Sequence, residues 1–106
     1  MDISDWRRKI DDVDRRMAAL LNERASAVIE IGRLKRNSCM PIYEPDREKD
    51  VIANVQRNSA GPLRDLDLAK IYERLLDVMR SIQGHEMGAD SASSGRETEL
   101  DSRMED

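Results

Sequence analysis

An apolar seam runs along the first third of this chain at helical spacing: Ile10, Val13, Met17, Leu20, Arg24, Ala27, Ile31 and Leu34. Steps of three and four residues make an a/d heptad pattern. Such a pattern demands a long amphipathic helix whose seam lies against other helices. Arg24 interrupts the seam where a hydrocarbon is expected. A guanidinium there is buried or nearly so, and a buried charge is costly unless it is paired. Its partner is either a protein carboxylate or a ligand.

The rest of the composition suits helices. The 106 residues bound the chain at one small domain, with 39% hydrophobic and 38% charged residues. No Phe, one Trp and two Tyr leave β-structure poorly supplied. The formal charge of −4 is unevenly spread: residues 1–83 hold 16 basic and 15 acidic side chains, residues 84–106 hold 2 and 7. A nearly neutral folded part with few stacking aromatics argues against nucleic acid as a partner. Cys39 is the single cysteine, so no intramolecular disulfide is possible. Met1-Asp2-Ile3-Ser4-Asp5 carries no secretory pattern. Met17 to Leu21, the longest apolar run, is too short to span a bilayer. A cytoplasmic location, with no membrane partner, is the default expectation.

Three helices are predicted, an all-α fold. The first runs from about Asp5 to Arg36, capped by Ser4 or Asp5, and would be roughly 48 Å long. Pro45 suits the first position of a second helix, Pro45 to Arg57, with Val51, Ile52 and Val55 inward. Asn58-Ser59-Ala60-Gly61-Pro62 breaks it. A third helix from about Asp65 to Gln83 turns Leu68, Ile71, Tyr72, Leu75, Leu76, Met79 and Ile82 to one side, and Gly84 ends it. Residues 1–83 are thus the helical domain, and residues 84–106 read as an acidic, disordered tail. The two shorter helices together are about as long as the first, and folding back along it they leave part of its apolar stripe uncovered. A second copy of helix 1 is the economical cover, so an intertwined homodimer is expected.

Several polar groups share those apolar faces. Lys35 follows Arg24 by eleven residues, three turns, so both cations look the same way roughly 16 Å apart. Arg7 lies roughly 25 Å from Arg24 along the same helix. It cannot serve the same small site within one chain, but in an antiparallel dimer it would reach the partner's site. Arg47 and Glu48 open helix 2, and Gln83 continues the Tyr72, Leu76, Met79 face of helix 3. Singly these have plainer roles: a core ion pair for Arg24, a snorkelling stem for Lys35, a solvated run for Arg7, surface charges for Arg47 and Glu48, a frayed end for Gln83. Together they are better explained by an apolar-walled site for a small dianion.

The same residues carry a family resemblance from Trp6 to Gln83. Trp6-Arg7-Arg8-Lys9-Ile10-Asp11-Asp12-Val13-Asp14, Leu20-Leu21-Asn22-Glu23-Arg24, Ile31-Gly32-Arg33-Leu34-Lys35 and Pro41-Ile42-Tyr43-Glu44-Pro45-Asp46-Arg47-Glu48 stand in an order and spacing that resembles the all-helical chorismate mutases. The resemblance implies three helices per chain in an intertwined homodimer with two active sites. It implies the rearrangement of chorismate to prephenate, on the route to phenylalanine and tyrosine, with no cofactor and no metal. By the same resemblance Arg24 would hold a substrate carboxylate, helped by Arg7 from the other chain. Lys35 would bind a carboxylate and the ether oxygen, and Gln83 would donate to that oxygen. Arg47 would support the carboxylate end, Glu48 would accept from the ring hydroxyl, and Glu44 would lie near it. Met79 stands where many relatives carry a small polar residue, and it cannot replace that hydrogen bond. With no second enzyme domain following, the chain resembles a monofunctional, bacterial-like member.

That reaction is pericyclic and needs no nucleophile. Accordingly the sequence has no Cys/His cluster, Gly-rich phosphate loop or Ser/His/Asp set, and His85 lies in the tail. One rival is an isochorismate-pyruvate lyase on the same scaffold. Another is a non-catalytic helical module that regulates a shikimate-pathway enzyme.

Overall fold

A computed structural model describes residues 1–88, which form three helices: α1 (Ile3–Ser38), α2 (Pro45–Arg57) and α3 (Asp65–Gly88). Among these residues there is no strand. The fold is all-helical. No described helix is long and apolar enough to cross a membrane.

α1 begins at Ile3, ahead of the start near Asp5 that its sequence predicts. Asp2, rather than Ser4 or Asp5, is the N-cap. Asp5 donates its N–H to Asp2 Oδ1 at 3.0 Å, and Asp2 donates its own to Asp5 Oδ2 at 3.1 Å. This reciprocal capping box satisfies two backbone donors at once, which a lone cap at Ser4 would not. Asp12 pairs with Arg16 at 3.3 Å and Arg15 at 3.6 Å on the solvated face. These exposed pairs add little stability.

The other end of α1 turns sharply. Cys39 adopts the left-handed conformation, φ 58°. Its N–H reaches Arg36 O at 3.4 Å, and Met40 N–H reaches Lys35 O at 2.9 Å. This is a Schellman closure with Cys where Gly is usual. It reverses the chain, so that Ile42 and Glu44 come back to Lys35. Glu44 caps α2 by position only, without a side-chain bond, and Pro45 supplies the fixed φ of the first turn.

α3 packs against both α1 and α2, which do not pack directly on each other. Leu68, Leu76 and Met79 are its buried apolar residues. Ile71, expected on that face, is exposed because α3 is covered along a narrower stripe. Gly84 does not end α3, which continues to Gly88. Helical glycine costs about 1 kcal/mol relative to Ala. Here the position is half-buried, and Ile42 Cδ1 lies 3.8 Å from where a Cβ would sit. That cost is too small to stop a helix that Gln83, one residue earlier, ties to α1 through Val28 O. The tail reading for residues 84–106 is corrected at its start, and residues 89–106 lie outside the described residues.

The face of α1 that meets α3 contains Val28, Gly32 and Lys35. The heptad seam lies beside this face and stays open. Ile10, Met17, Leu20, Ile31 and Leu34 are 47–66% exposed in the single chain. Arg24, at the boundary between the two faces, is half-buried rather than fully buried.

Leu68 is buried at the start of α3, away from the polar cluster described below. Leu68→Ala should cost about 2–4 kcal/mol in urea unfolding while helicity at zero denaturant is kept. A loss under about 1 kcal/mol would show that this end of the core is not packed as described.

Candidate active site

The last turn of α1 carries a buried ammonium. Lys35 and Gln83 are the buried polar residues among those described, at 7% and 6% exposure. They come from α1 and α3, which the loop geometry brings side by side. Lys35 Nζ donates to Gln83 Oε1 at 3.0 Å, to Ile42 O at 3.0 Å and to Glu44 Oε1 at 2.8 Å. Three donors thus meet three acceptors. Gln83 Nε2 in turn donates to Val28 O at 3.2 Å, tying α3 to α1. An amide nitrogen carries two protons, so one remains for another acceptor.

Around this pair lies a cavity of about 150 Å³. Val28, Ile31, Ile42, Val51, Leu76 and Met79 form apolar walls. Arg24, Lys35, Arg47 and Arg80 bring four cations to the lining, Glu44 and Glu48 two carboxylates. Lys35 is paired with Glu44, and Arg80 with Glu48. Arg24 and Arg47 have no carboxylate partner among the described residues. The lining therefore carries a surplus of two positive charges, held by the two guanidiniums without carboxylates. A pocket so charged suits a small dianion, and a guanidinium suits the forked geometry of a carboxylate.

All the candidate residues except Arg7 line this one cavity: Arg24, Lys35, Glu44, Arg47, Glu48, Met79 and Gln83. Arg7 is exposed in the second turn of α1 and is not part of the lining. Met79, 5% exposed, contributes a thioether wall.

Arg80 is the cavity residue that sequence reasoning missed. Its Nε and Nη2 donate to the two Glu48 carboxylate oxygens at 3.2 and 3.1 Å. Its Nη1 donates to Asp77 at 3.0 Å, and its Cζ lies 4.6 Å from the Tyr43 ring centroid. The hydrogen bond to Glu48 foremost, with Asp77 adding to it, raises the Arg80 pKa above its ordinary value. Position 80 lies four residues after Leu76 and three before Gln83, on the same face as Met79, so helical phase was the signal that could have found it, beside its spacing of three from Asp77. Glu48, its main partner, is 32 residues away.

Because Glu44 occupies Lys35, an incoming anion competes with it. Removing that charge should favour a small dianion that carries no hydroxyl. Glu44→Gln is expected to tighten malonate binding by roughly three- to tenfold in isothermal titration, the ~1 kcal/mol scale of a partly exposed ion pair. Unchanged or weaker binding would mean that malonate does not meet Lys35.

Comparison with known proteins places this geometry in a family. Residues 6–84 match the family model described as chorismate mutase type II. A bifunctional chorismate mutase/prephenate dehydratase of Neisseria gonorrhoeae is 32% identical over 77 residues, which are 73% of this chain and 21% of that protein. The chain spans about a fifth to a quarter of the length of such bifunctional relatives. A chorismate mutase of Methanocaldococcus jannaschii is 26% identical over 82 residues, covering 76% of this chain and 83% of that one. The structure of chorismate mutase (form II) from Thermus thermophilus superposes with a TM-score of 0.75 at 30% identity, over 77% of this chain and 93% of that one. Chorismate mutase from Helicobacter pylori, solved in complex with prephenate, shares the fold with a TM-score of 0.77 at 22% identity, over 84% and 97% of the two chains. The match over residues 6–84 covers nearly all of the helical core and the whole cavity lining: the chain belongs to the chorismate mutase type II family.

Proposed function

We propose that this protein is a chorismate mutase, an isomerase that rearranges chorismate to prephenate in phenylalanine and tyrosine biosynthesis. The observation that carries this reading is the buried Lys35–Gln83 pair at 3.0 Å, in an apolar-walled cavity with two guanidiniums that have no carboxylate partner among the described residues. Family membership supports it, and the Helicobacter pylori relative of the same fold was solved with prephenate. A cytoplasmic location, the default from the sequence, is part of the same proposal.

The chemistry asks for two things. First, chorismate must be held in its folded diaxial conformer, with the two reacting carbons close together. Cation–carboxylate contacts at opposite ends achieve this and remove most of the entropic part of the barrier. Arg24 takes one carboxylate; Arg47 and Lys35 support the carboxylate end. Glu48 accepts from the ring hydroxyl, with Glu44 near it once displaced from Lys35. Second, negative charge gathers on the ether oxygen as the C–O bond breaks. Donors fixed at that point bind the transition state better than the ground state. Lys35 supplies a charged donor and Gln83 the second amide proton. Each is preorganised by its bonds to Ile42 O and Val28 O. The polar contact that Met79 cannot make is left to water or backbone.

The proposal includes an intertwined homodimer. The exposed seam of α1 supports it, since five large apolar side chains in one line ask for a complementary surface. A second α1 running antiparallel would cover the seam and bring Arg7 of one protomer to the Arg24 end of the other's cavity. The functional unit would then comprise residues 1–83 of two chains.

The direct test is chorismate loss by absorbance with product identification. Prephenate formation is the expected outcome. Pyruvate released from isochorismate would assign a lyase instead, and no turnover of either would favour a non-catalytic module. Lys35→Ala and Arg24→Ala should remain helical and lose about 10²–10³-fold in kcat/KM. Near-wild-type turnover in either would remove the site assignment. Mixing inactive Arg7→Ala and Arg24→Ala proteins should restore about a quarter of wild-type activity, because half the dimers are mixed and each contains one intact site. No recovery after subunit exchange would argue against a shared site.

A further inference from the structure

We propose that Arg80 is a positioning residue that aims Glu48 at the substrate's ring hydroxyl. The inference rests on the mutase reading above. Glu48 lies in the first turn of α2 and Arg80 in the fifth turn of α3. The two helices pack together, and the guanidinium fork takes both carboxylate oxygens at 3.2 and 3.1 Å. A bidentate pair fixes the plane of the carboxylate as well as its position. Arg80 is held from two more sides, by Asp77 at 3.0 Å and by the Tyr43 ring at 4.6 Å. A long side chain pinned at three points has little rotamer freedom left to lose when substrate binds. Each Glu48 oxygen gives one lone pair to Arg80 and keeps another to accept from a hydroxyl.

Arg47, the neighbour of Glu48 in sequence, cannot do this. Adjacent residues on a helix do not face one another. Arg80 therefore acts through Glu48, by aiming its free lone pairs.

The test is a double-mutant cycle with two substrates. Wild type, Arg80→Ala, Glu48→Ala and the double variant are assayed for kcat and KM with chorismate and with an analogue lacking the ring hydroxyl. Arg80→Lys, which keeps charge but not the fork, is included, and all variants are checked for helicity and melting temperature. Each single variant should lose roughly ten- to hundredfold in kcat/KM on chorismate, with the double variant within about threefold of Glu48→Ala. On the hydroxyl-free analogue the loss caused by Arg80→Ala should shrink to about threefold or less, and Arg80→Lys should recover only part of the activity. Additive losses, or equal losses on both substrates, would overturn the positioning role while leaving the mutase intact. A folded wild type inert toward chorismate would overturn the mutase reading and, with it, this role.

Discussion

A buried ammonium organises this small protein. Lys35 leaves water where α1, the returning loop and α3 converge, and its charge has to be met on every side. Glu44 meets it with a carboxylate, Ile42 with a backbone oxygen and Gln83 with an amide oxygen. Each of these groups sits where it does because of a separate local decision. The Schellman turn at Cys39 returns the loop, the missing side-chain cap on α2 frees Glu44, and the long α3 reaches as far as Gln83. Unpaired, the ammonium would cost several kcal/mol; satisfied, it locks three elements in one arrangement.

The same arrangement divides the cavity's charges into two sets. Lys35 with Glu44 and Arg80 with Glu48 are internal pairs. Arg24 and Arg47 carry the surplus. This separation lets a small chain present guanidiniums in an apolar pocket without collapsing them onto its own carboxylates. It also explains why hydrocarbon walls and ions coexist there. Val28, Ile31, Val51 and Leu76 surround the charges with hydrocarbon, and a less polar surrounding strengthens whatever electrostatic contact a ligand makes.

The open seam of α1 is the complementary feature. Within one chain α1 spends only its Val28–Gly32–Lys35 side on α3, and the Ile10 to Leu34 line remains exposed. A 36-residue helix is about 54 Å long, and the helix that packs against it, the 24-residue α3, is only about 36 Å long. Length and pattern thus set a demand for further burial that a single copy does not meet.

Local chemistry was legible in the sequence. Heptad spacing, Pro45, the Asn58–Pro62 breaker and the polar residues on apolar faces locate three helices and name Arg24, Lys35, Glu44, Arg47, Glu48, Met79 and Gln83, which the fold gathers around one cavity. Those signals repeat within a few residues, so periodicity carries them. Asp2 as cap and the passage of α3 through Gly84 were not legible. The first depends on which of several acidic residues closes a reciprocal pair, the second on Gln83, beside that glycine, being tied to Val28 of α1, 55 residues earlier. Tertiary structure alone decided that Glu48 pairs with Arg80 rather than with a nearer cation, and that Lys35 is saturated while Arg24 is not. Sequence sets which side chains share a helix face; which charges meet across helices depends on interaxial packing, to which no local period refers.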